Sequence, residues 1–218
     1  MTLESLSRLR QGVYRLCGAG FRYPTAEMLS AAGSALPIFD ELKMFDYAFA
    51  PDVAQAAAAL GEAELDGMEV AYVSLFEAGV GGVACSPHES AHRSDARTGE
   101  VPVLQAELKR TVLRYGLRLD DSSEDTVDHV ATELHVMAML CHRQTQLHAA
   151  SAPVGRVVSS ELEFLNSHLL QWVPGFARLV QAKQRHPAYT ALAEAVSAFL
   201  VHERQLVPLL VGEAEALS

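Results

Sequence analysis

The sequence predicts an all-α protein, a single-domain helical bundle of roughly 8–10 helices. Three observations carry that expectation. Apolar residues recur at spacings of three and four along most of the chain. Period-2 alternation, the mark of a half-buried strand, is nearly absent. Half of the 218 residues are apolar, enough for one substantial core or at most two small lobes, and residues 1–218 are taken as one domain.

The elements follow in order. Leu3, Leu6, Leu9, Val13 and Leu16 give a first helix an apolar stripe, with Thr2 as its N-cap and Ser5 close by. Tyr23-Pro24 ends it, because proline disfavours helix at the residue before it. A second, short helix covers Thr25 to about Ala35, and Pro37 and Pro51 bracket a less regular connection. An alanine-rich helix runs from about Asp52 to Leu60, and Gly61 fits its end. Glu62 to Phe76 suits the next, with Leu65, Met68, Tyr72, Leu75 and Phe76 facing inward. Gly79, Gly81 and Gly82 then interrupt the pattern.

Ser86-Pro87-His88-Glu89 reads as a capping box with proline at the first helical position of a short helix. Arg97-Thr98-Gly99 breaks it. Pro102 to Tyr115 follows, with Gly116 as its C′ residue, then an acidic loop over Leu119 to Asp125. A long helix runs from Asp128 to about His148, and a small-residue loop from Ala149 to Gly155. The last helices cover Val157 to Trp172, Pro174 to Gln184, and Ala188 to about Leu210. Trp172 stands so close to Pro174 that its ring is expected to brace a helix junction.

Lys and Arg number 17 against 27 Asp and Glu, for a formal charge of −10. That balance argues against nucleic acid, whose phosphates need concentrated cations, and suits a basic partner. Cys17, Cys85 and Cys141 are far apart and form no C-x-x-C pair, so reduced thiols are expected. The start, Met1-Thr2-Leu3-Glu4-Ser5, lacks a signal peptide's basic and apolar regions, and no apolar run approaches the ~20 residues of a membrane span. A cytoplasmic protein is expected.

The most informative stretch is Asp128-His129-Val130-Ala131-Thr132-Glu133-Leu134. Asp128 is read as the N-cap of the long helix, holding His129 beside it, and Glu133 lies one turn on. Val130, Leu134, Met137 and Leu140 form the buried stripe below. A polar cluster on a rigid scaffold suits recognition of something basic or rich in hydrogen-bond donors.

Four segments in order carry a resemblance: Tyr72-Val73-Ser74-Leu75-Phe76; Pro87-His88-Glu89-Ser90-Ala91-His92; Asp128-His129 with Glu133-Leu134; and Phe164-Leu165, His168-Leu169, Trp172, Pro174 and Phe176. Together they resemble the TorD/DmsD/NarJ family of molybdoenzyme maturation chaperones. His88 and His92 depart from the aromatic residues that many relatives carry there. The resemblance implies an all-helical chaperone without catalytic residues, metal or cofactor. Its partner would be the leader peptide or apo form of the catalytic subunit of a DMSO-reductase-class molybdoenzyme, held before twin-arginine export. The implied peptide-binding residues are Asp128, His129, Glu133, Tyr72, Leu75, Phe76, Pro87, His88, Glu89, Ser90 and His92. Arginines of a leader would pair with Asp128, Glu133 and Glu89, and its apolar region would pack near Tyr72, Leu75 and Phe76. Asp128→Ala would then weaken leader binding and leave the secondary structure intact. A homodimer is compatible with this reading.

Two other classes compete. His88-Glu89-Ser90-Ala91-His92 matches the H-E-x-x-H pattern of zinc hydrolases, in which two histidines four apart on a helix share the metal. Pro87 before it, Arg93-Ser94-Asp95 after it and the capping role of Glu89 argue against that reading. The other alternative is a stable structural subunit of a redox complex. No phosphate loop or dinucleotide fingerprint occurs.

Overall fold

The computed structural model describes residues 2–41, 47–77, 82–93, 100–119 and 125–216. Among them the chain is all-α: α1 (Leu3–Gly20), α2 (Ala26–Glu41), α3 (Ala50–Gly61), α4 (Leu65–Tyr72), α5 (Val101–Arg114), α6 (Val130–Ala149), α7 (Gly155–Phe164), α8 (Leu170–Lys183) and α9 (Pro187–Ala216), with no strand. Thr2 Oγ1 accepts the Ser5 N–H at 3.1 Å, as expected of an N-cap. Gly79, Gly81, Arg97-Thr98-Gly99 and most of the expected acidic loop lie outside the described residues.

Several boundaries differ from the sequence expectation. α2 continues past Ala35 and through Pro37 to Glu41, and Pro51 sits in the first turn of α3. The latter placement is easy, since a first-turn N–H has no partner within the helix. α4 passes into a π-turn over Val73–Glu77. The helix expected from Val157 to Trp172 is also divided, by a π-turn over Leu165–Leu169. Pro174 lies inside α8 and does not open a new helix. It lies in the second turn of α8, five residues after that π-turn.

The chain groups into two compact units. The first comprises Met1–Gly18, His88–Trp172 and Glu203–Ser218. α6 is its axis, buried on nearly every side from Val130 to Thr145. Gly116, at φ +75, closes α5 as expected: Leu117 N–H reaches Val112 O at 3.2 Å and Gly116 N–H reaches Leu113 O at 2.9 Å. α6 ends the same way, but with Ser151 in the left-handed position at φ 51. A serine there carries a Cβ penalty that glycine does not.

The buried side of α1 keeps Val13 and Leu16 of the predicted stripe but departs from its leading leucines. Leu3 is 41% exposed, and Ser7, Arg10, Val13, Tyr14 and Cys17 are buried. Arg10 spreads its guanidinium over three partners. Nε and Nη2 fork onto the two Glu203 oxygens at 2.8 Å each, Nη2 also meets Glu161 at 2.7 Å, and Nη1 meets Gln144 at 3.0 Å. Tyr14 donates its hydroxyl to Glu203 at 2.7 Å. Such a cluster adds little net stability, yet losing its cation would leave two buried carboxylates uncompensated, at about 3–5 kcal/mol.

The second unit comprises Ala19–Pro87 and Val173–His202. α2 and α3 meet at glycines: a Cβ built on Gly61 would stand 2.6 Å from the Gly33 Cα. Phe21, Tyr72, Phe76, Phe176 and Tyr189 form one edge-packed aromatic cluster, with Phe76 5.2 Å from both Tyr72 and Tyr189. Leu75 is buried too, and its carbonyl accepts the Cys85 N–H at 2.8 Å.

Candidate functional site

The conspicuous polar cluster of the first unit forms where two loops meet. His88 and His129 pair as an isolated antiparallel bridge, and the Glu89 N–H donates to the Asp128 carbonyl at 2.8 Å. His88 precedes a single 3-10 turn, Glu89–Ala91, and His129 precedes α6. Six of the expected peptide-binding residues, His88, Glu89, Ser90, Asp128, His129 and Glu133, converge there or just beneath.

The cap of α6 is His129, not Asp128. His129 has extended backbone angles, and its Nδ1 accepts the Ala131 N–H at 3.1 Å. That bond requires a bare Nδ1, so the ring proton of the neutral imidazole sits on Nε2. Asp128 is thereby released for a different task. Its carboxylate is 1% exposed and accepts from Ser90 Oγ at 2.7 Å, Thr126 Oγ1 at 2.7 Å and Gln105 Nε2 at 2.9 Å. His88 Nδ1 lies 3.8 Å away and 3.1 Å from Thr126 Oγ1. Thr126 has already given its proton to Asp128, so His88 donates to it. Burial pushes the Asp128 carboxyl up, but the nearby His88 ring and the hydrogen bonds from Ser90, Thr126 and Gln105 outweigh it and hold the group well below the usual carboxylate range. Asp128 is the knot that ties both loops to α5.

Behind Asp128 lie two further acids. Glu89 is fully buried and accepts from His168 Nδ1 at 3.0 Å and Arg93 Nη1 at 3.0 Å. Glu133 is also fully buried, and its Oε2 accepts the Trp172 indole N–H at 3.0 Å. Its other oxygen has no donor facing it. Burial first, then the charge and hydrogen bond of Glu89, push the Glu133 carboxyl well above its ordinary value. The unmatched oxygen and the neighbouring carboxylate both favour the protonated form of Glu133, which lets the two acids share one proton.

Trp172 lies within α8, not at the helix junction expected beside Pro174, and holds the Glu133 carboxyl group, with His92 stacked on its ring at 5.2 Å. The π-turn over Leu165–Leu169 sets His168 between the Phe164 ring, 4.8 Å away, and Glu89. His168 appeared in the sequence only within a resembling segment. Nothing in its spacing marked it as a partner of Glu89.

The arrangement differs from an open acidic cradle. Asp128, Glu89 and Glu133, expected to meet arginine directly, are enclosed and engaged by their own chain. The accessible parts are the rim: His88, with 36% of its side chain exposed, Ser90, His92 and Arg93. The capping box over Ser86–Glu89 is replaced by the short turn that begins at Glu89 after His88. That turn also removes the helix on which a zinc-sharing His88/His92 pair would depend. His88 packs against the His129 ring at 5.1 Å, while His92 lies on Trp172.

Tyr72, Leu75, Phe76 and Pro87 belong to the second unit and are buried there, at 5%, 1% and 4% exposure for the first three. They are core residues of their unit. No helix among the described residues is long and apolar enough to cross a membrane.

Comparisons with known proteins agree with this architecture. Residues 43–178 match the family described as the nitrate reductase delta subunit. The selenate reductase assembly chaperone of Thauera selenatis is 33% identical over 139 residues, covering 59% of this chain and 67% of the relative. The dimethyl sulfide dehydrogenase assembly chaperone of Rhodovulum sulfidophilum is 28% identical over 200 residues, covering 85% and 74%. For the chaperone protein TorD of Vibrio cholerae the figures are 23% over 127 residues, 58% and 56%, so the match spans little more than half of that relative. A solved structure described as a redox enzyme maturation protein from Archaeoglobus fulgidus shares the fold, with a TM-score of 0.55 at 22% identity over 88% of this chain and 93% of that one.

Proposed function

The chain belongs to the nitrate reductase delta subunit family, that of the NarJ- and TorD-type assembly chaperones, and from that membership we propose that it is a dedicated chaperone of one redox enzyme. The client is the catalytic subunit of a DMSO-reductase-class molybdoenzyme, held in its immature form while cofactor is inserted. The observation that carries this reading is the family match across residues 43–178, which takes in both loops of the polar cluster. The whole chain acts as one chaperone in the cytoplasm, binds and releases without transforming its client, and serves clients that leave by the twin-arginine route.

The cluster supports a binding role of a particular kind. Asp128 holds Ser90, Glu89 holds Arg93 and Trp172 backs His92, so client contact falls on the rim of His88, Ser90, His92 and Arg93. Asp128, Glu89, Glu133 and His129 set the geometry from behind. Reversible capture suits a small, mixed polar rim better than an extensive apolar interface.

Co-expression of the tagged chain with a leader-bearing molybdoenzyme catalytic subunit tests the reading. The chain should co-purify with the precursor and be absent from the mature enzyme. Equal recovery with both would identify a structural subunit instead, and recovery with neither would end the chaperone reading.

A further inference from the structure

We propose, independently of the chaperone reading, that a cavity in the first unit binds a carboxylate, and that His168 on its floor relays occupancy through Glu89 to Arg93 on the rim. The cavity lies between α5 and the π-turn Leu165–Leu169.

Its volume is about 350 Å³. Arg110, Thr111 and Arg114 form the α5 wall, with Glu163 and Ser167 opposite. Those walls are mostly exposed, but His168 is only 9% exposed. Its Nδ1 is turned to Glu89 at 3.0 Å, and its ring is tilted against Phe164 at 4.8 Å. Nε2 has no hydrogen-bond partner among the described residues, and it is not sealed off by them. A buried imidazole with one nitrogen bonded and the other bare beside a cavity is an incomplete polar site. The π-turn that puts it there departs from regular helix bonding, and such insertions recur at functional sites.

Charge selects the ligand. The chain carries −10 overall, yet Val101 to Arg118 holds four basic residues, Lys109, Arg110, Arg114 and Arg118, against one acid, Glu107. Glu163 engages Arg114 at 2.6 Å, whereas Arg110 pairs with no carboxylate among the described residues. The Arg110 guanidinium and a protonated Nε2 are therefore cationic donors without a partner, and the Thr111 and Ser167 hydroxyls stand beside them. A flat, singly charged carboxylate matches this pair of donors. A doubly charged phosphate would set more negative charge against Glu107 and Glu163 than the two donors balance.

Binding takes up a proton. In the neutral ring Nδ1 donates to Glu89 and Nε2 is bare; with a carboxylate at Nε2 the ring lies between two anions and holds both protons. The charged groups facing it are Glu89, with Arg93 and Glu133 behind, and Glu107, Arg110, Arg114 and Glu163 around the cavity. Arg93 and His168 approach the same Glu89 oxygen, at 3.0 and 3.3 Å. An imidazolium draws that oxygen harder, so the hold on Arg93 loosens as the cavity fills.

The test is an NMR titration of the full ¹⁵N-labelled chain at constant ionic strength. The probes are acetate, a blocked dipeptide with a free C-terminal carboxylate, the same dipeptide amidated, and methylammonium. Loss of signals in His168→Gln and Arg93→Lys assigns the two side chains. Acetate should shift the His168 ring signals to saturation, with the Arg93 Nε–H signal moving in step. Affinity should rise severalfold from about pH 7.5 to about pH 6. Arg110→Gln, on an exposed side chain that leaves the fold intact by circular dichroism, should weaken binding about tenfold. Arg178→Gln, an exposed arginine of the other unit, should not. Binding of both acetate and the dipeptide acid supports a carboxylate presented by a polypeptide, and binding of acetate alone supports a free small acid. No saturable shift with either, equal binding of the amide, methylammonium in acetate's place, unchanged affinity in Arg110→Gln or no change with pH overturns the site. An Arg93 signal that stays still while acetate binds overturns the relay.

Discussion

Replacing Glu133 by glutamine should leave the protein nearly as stable as before at neutral pH, although a buried carboxyl is being removed. The reason is the proton that Glu133 keeps. Glutamine reproduces the protonated acid: its carbonyl can accept the Trp172 N–H now held at 3.0 Å, and its amide can donate to Glu89. A change within about 1 kcal/mol is expected. Glu133→Leu has nearly the same bulk but takes away the acceptor of Trp172 Nε1, at about 1–3 kcal/mol, while Glu89 keeps its bonds from His168 and Arg93. The pH dependence sharpens the contrast. Glu133 has its folded pKa raised above the ordinary 4.5, so the folded chain binds the extra proton. Its contribution is complete below about pH 4.5 and is lost as pH rises through the folded value. The slope is at most about 1.4 kcal/mol per pH unit, hence as much as about 2.7 kcal/mol over two units. Trp172, the only tryptophan, sits on the group in question, so urea unfolding followed by its fluorescence at pH 5.5, 6.5 and 7.5 reads the site directly. The difference between the parent protein and Glu133→Gln should shrink or change sign as pH rises. A glutamine variant destabilised by more than about 2 kcal/mol with the parent's pH slope intact would refute the shared proton.

Three further outcomes are expected. Asp128→Asn should cost about 2 kcal/mol in urea unfolding, since charge-assisted bonds from Ser90, Thr126 and Gln105 lose their strong acceptor. Because Asp128 has a lowered folded pKa, its contribution is present above the ordinary 3.8 and lost as pH falls through the folded value, so the variant should lose stability less steeply in acid. Ser151→Gly should raise stability by about 0.5–1 kcal/mol in the same assay, by relieving the left-handed residue after α6. Gly61→Ala should destabilise by about 2 kcal/mol or more, because its Cβ would meet Gly33 backbone at 2.6 Å and neither helix has a flexible group to yield; Gly33→Ala, at 3.2 Å, should cost less.

Much of the fold could be read in the residues because helix periodicity and end signals are local. The α6 stripe, the Thr2 cap and Gly116 beyond α5 needed only neighbours within a few positions. Arg10 defeated the same reasoning. Ser7, Arg10, Val13, Tyr14 and Cys17 share one helix face, but a face containing arginine reads as solvent when the leucines lie beside it. Its partners, Glu161 and Glu203, are far along the chain and carry no mark of burial. The π-turns were hidden for a similar reason: no residue type signals an extra residue per turn, and packing alone selects it. At the polar cluster, the sequence identified Asp128 and His129 as neighbours with work to do but exchanged their tasks. Aspartate is the favoured cap on paper, and only the positions of Ser90, Thr126 and Gln105 show that it is taken. The enclosure of Glu89 and Glu133 is a long-range result, set by Trp172 and His168.

The buried guanidinium near the start of the chain has a temporal consequence. Arg10 is neutralised by residues 151 and 193 positions later, and Tyr14 also waits for Glu203. Until the ribosome has produced the last helix, the first one carries a positive charge with nowhere dry to put it. The first unit therefore closes around Arg10 only once Glu203 has been made, 193 residues later.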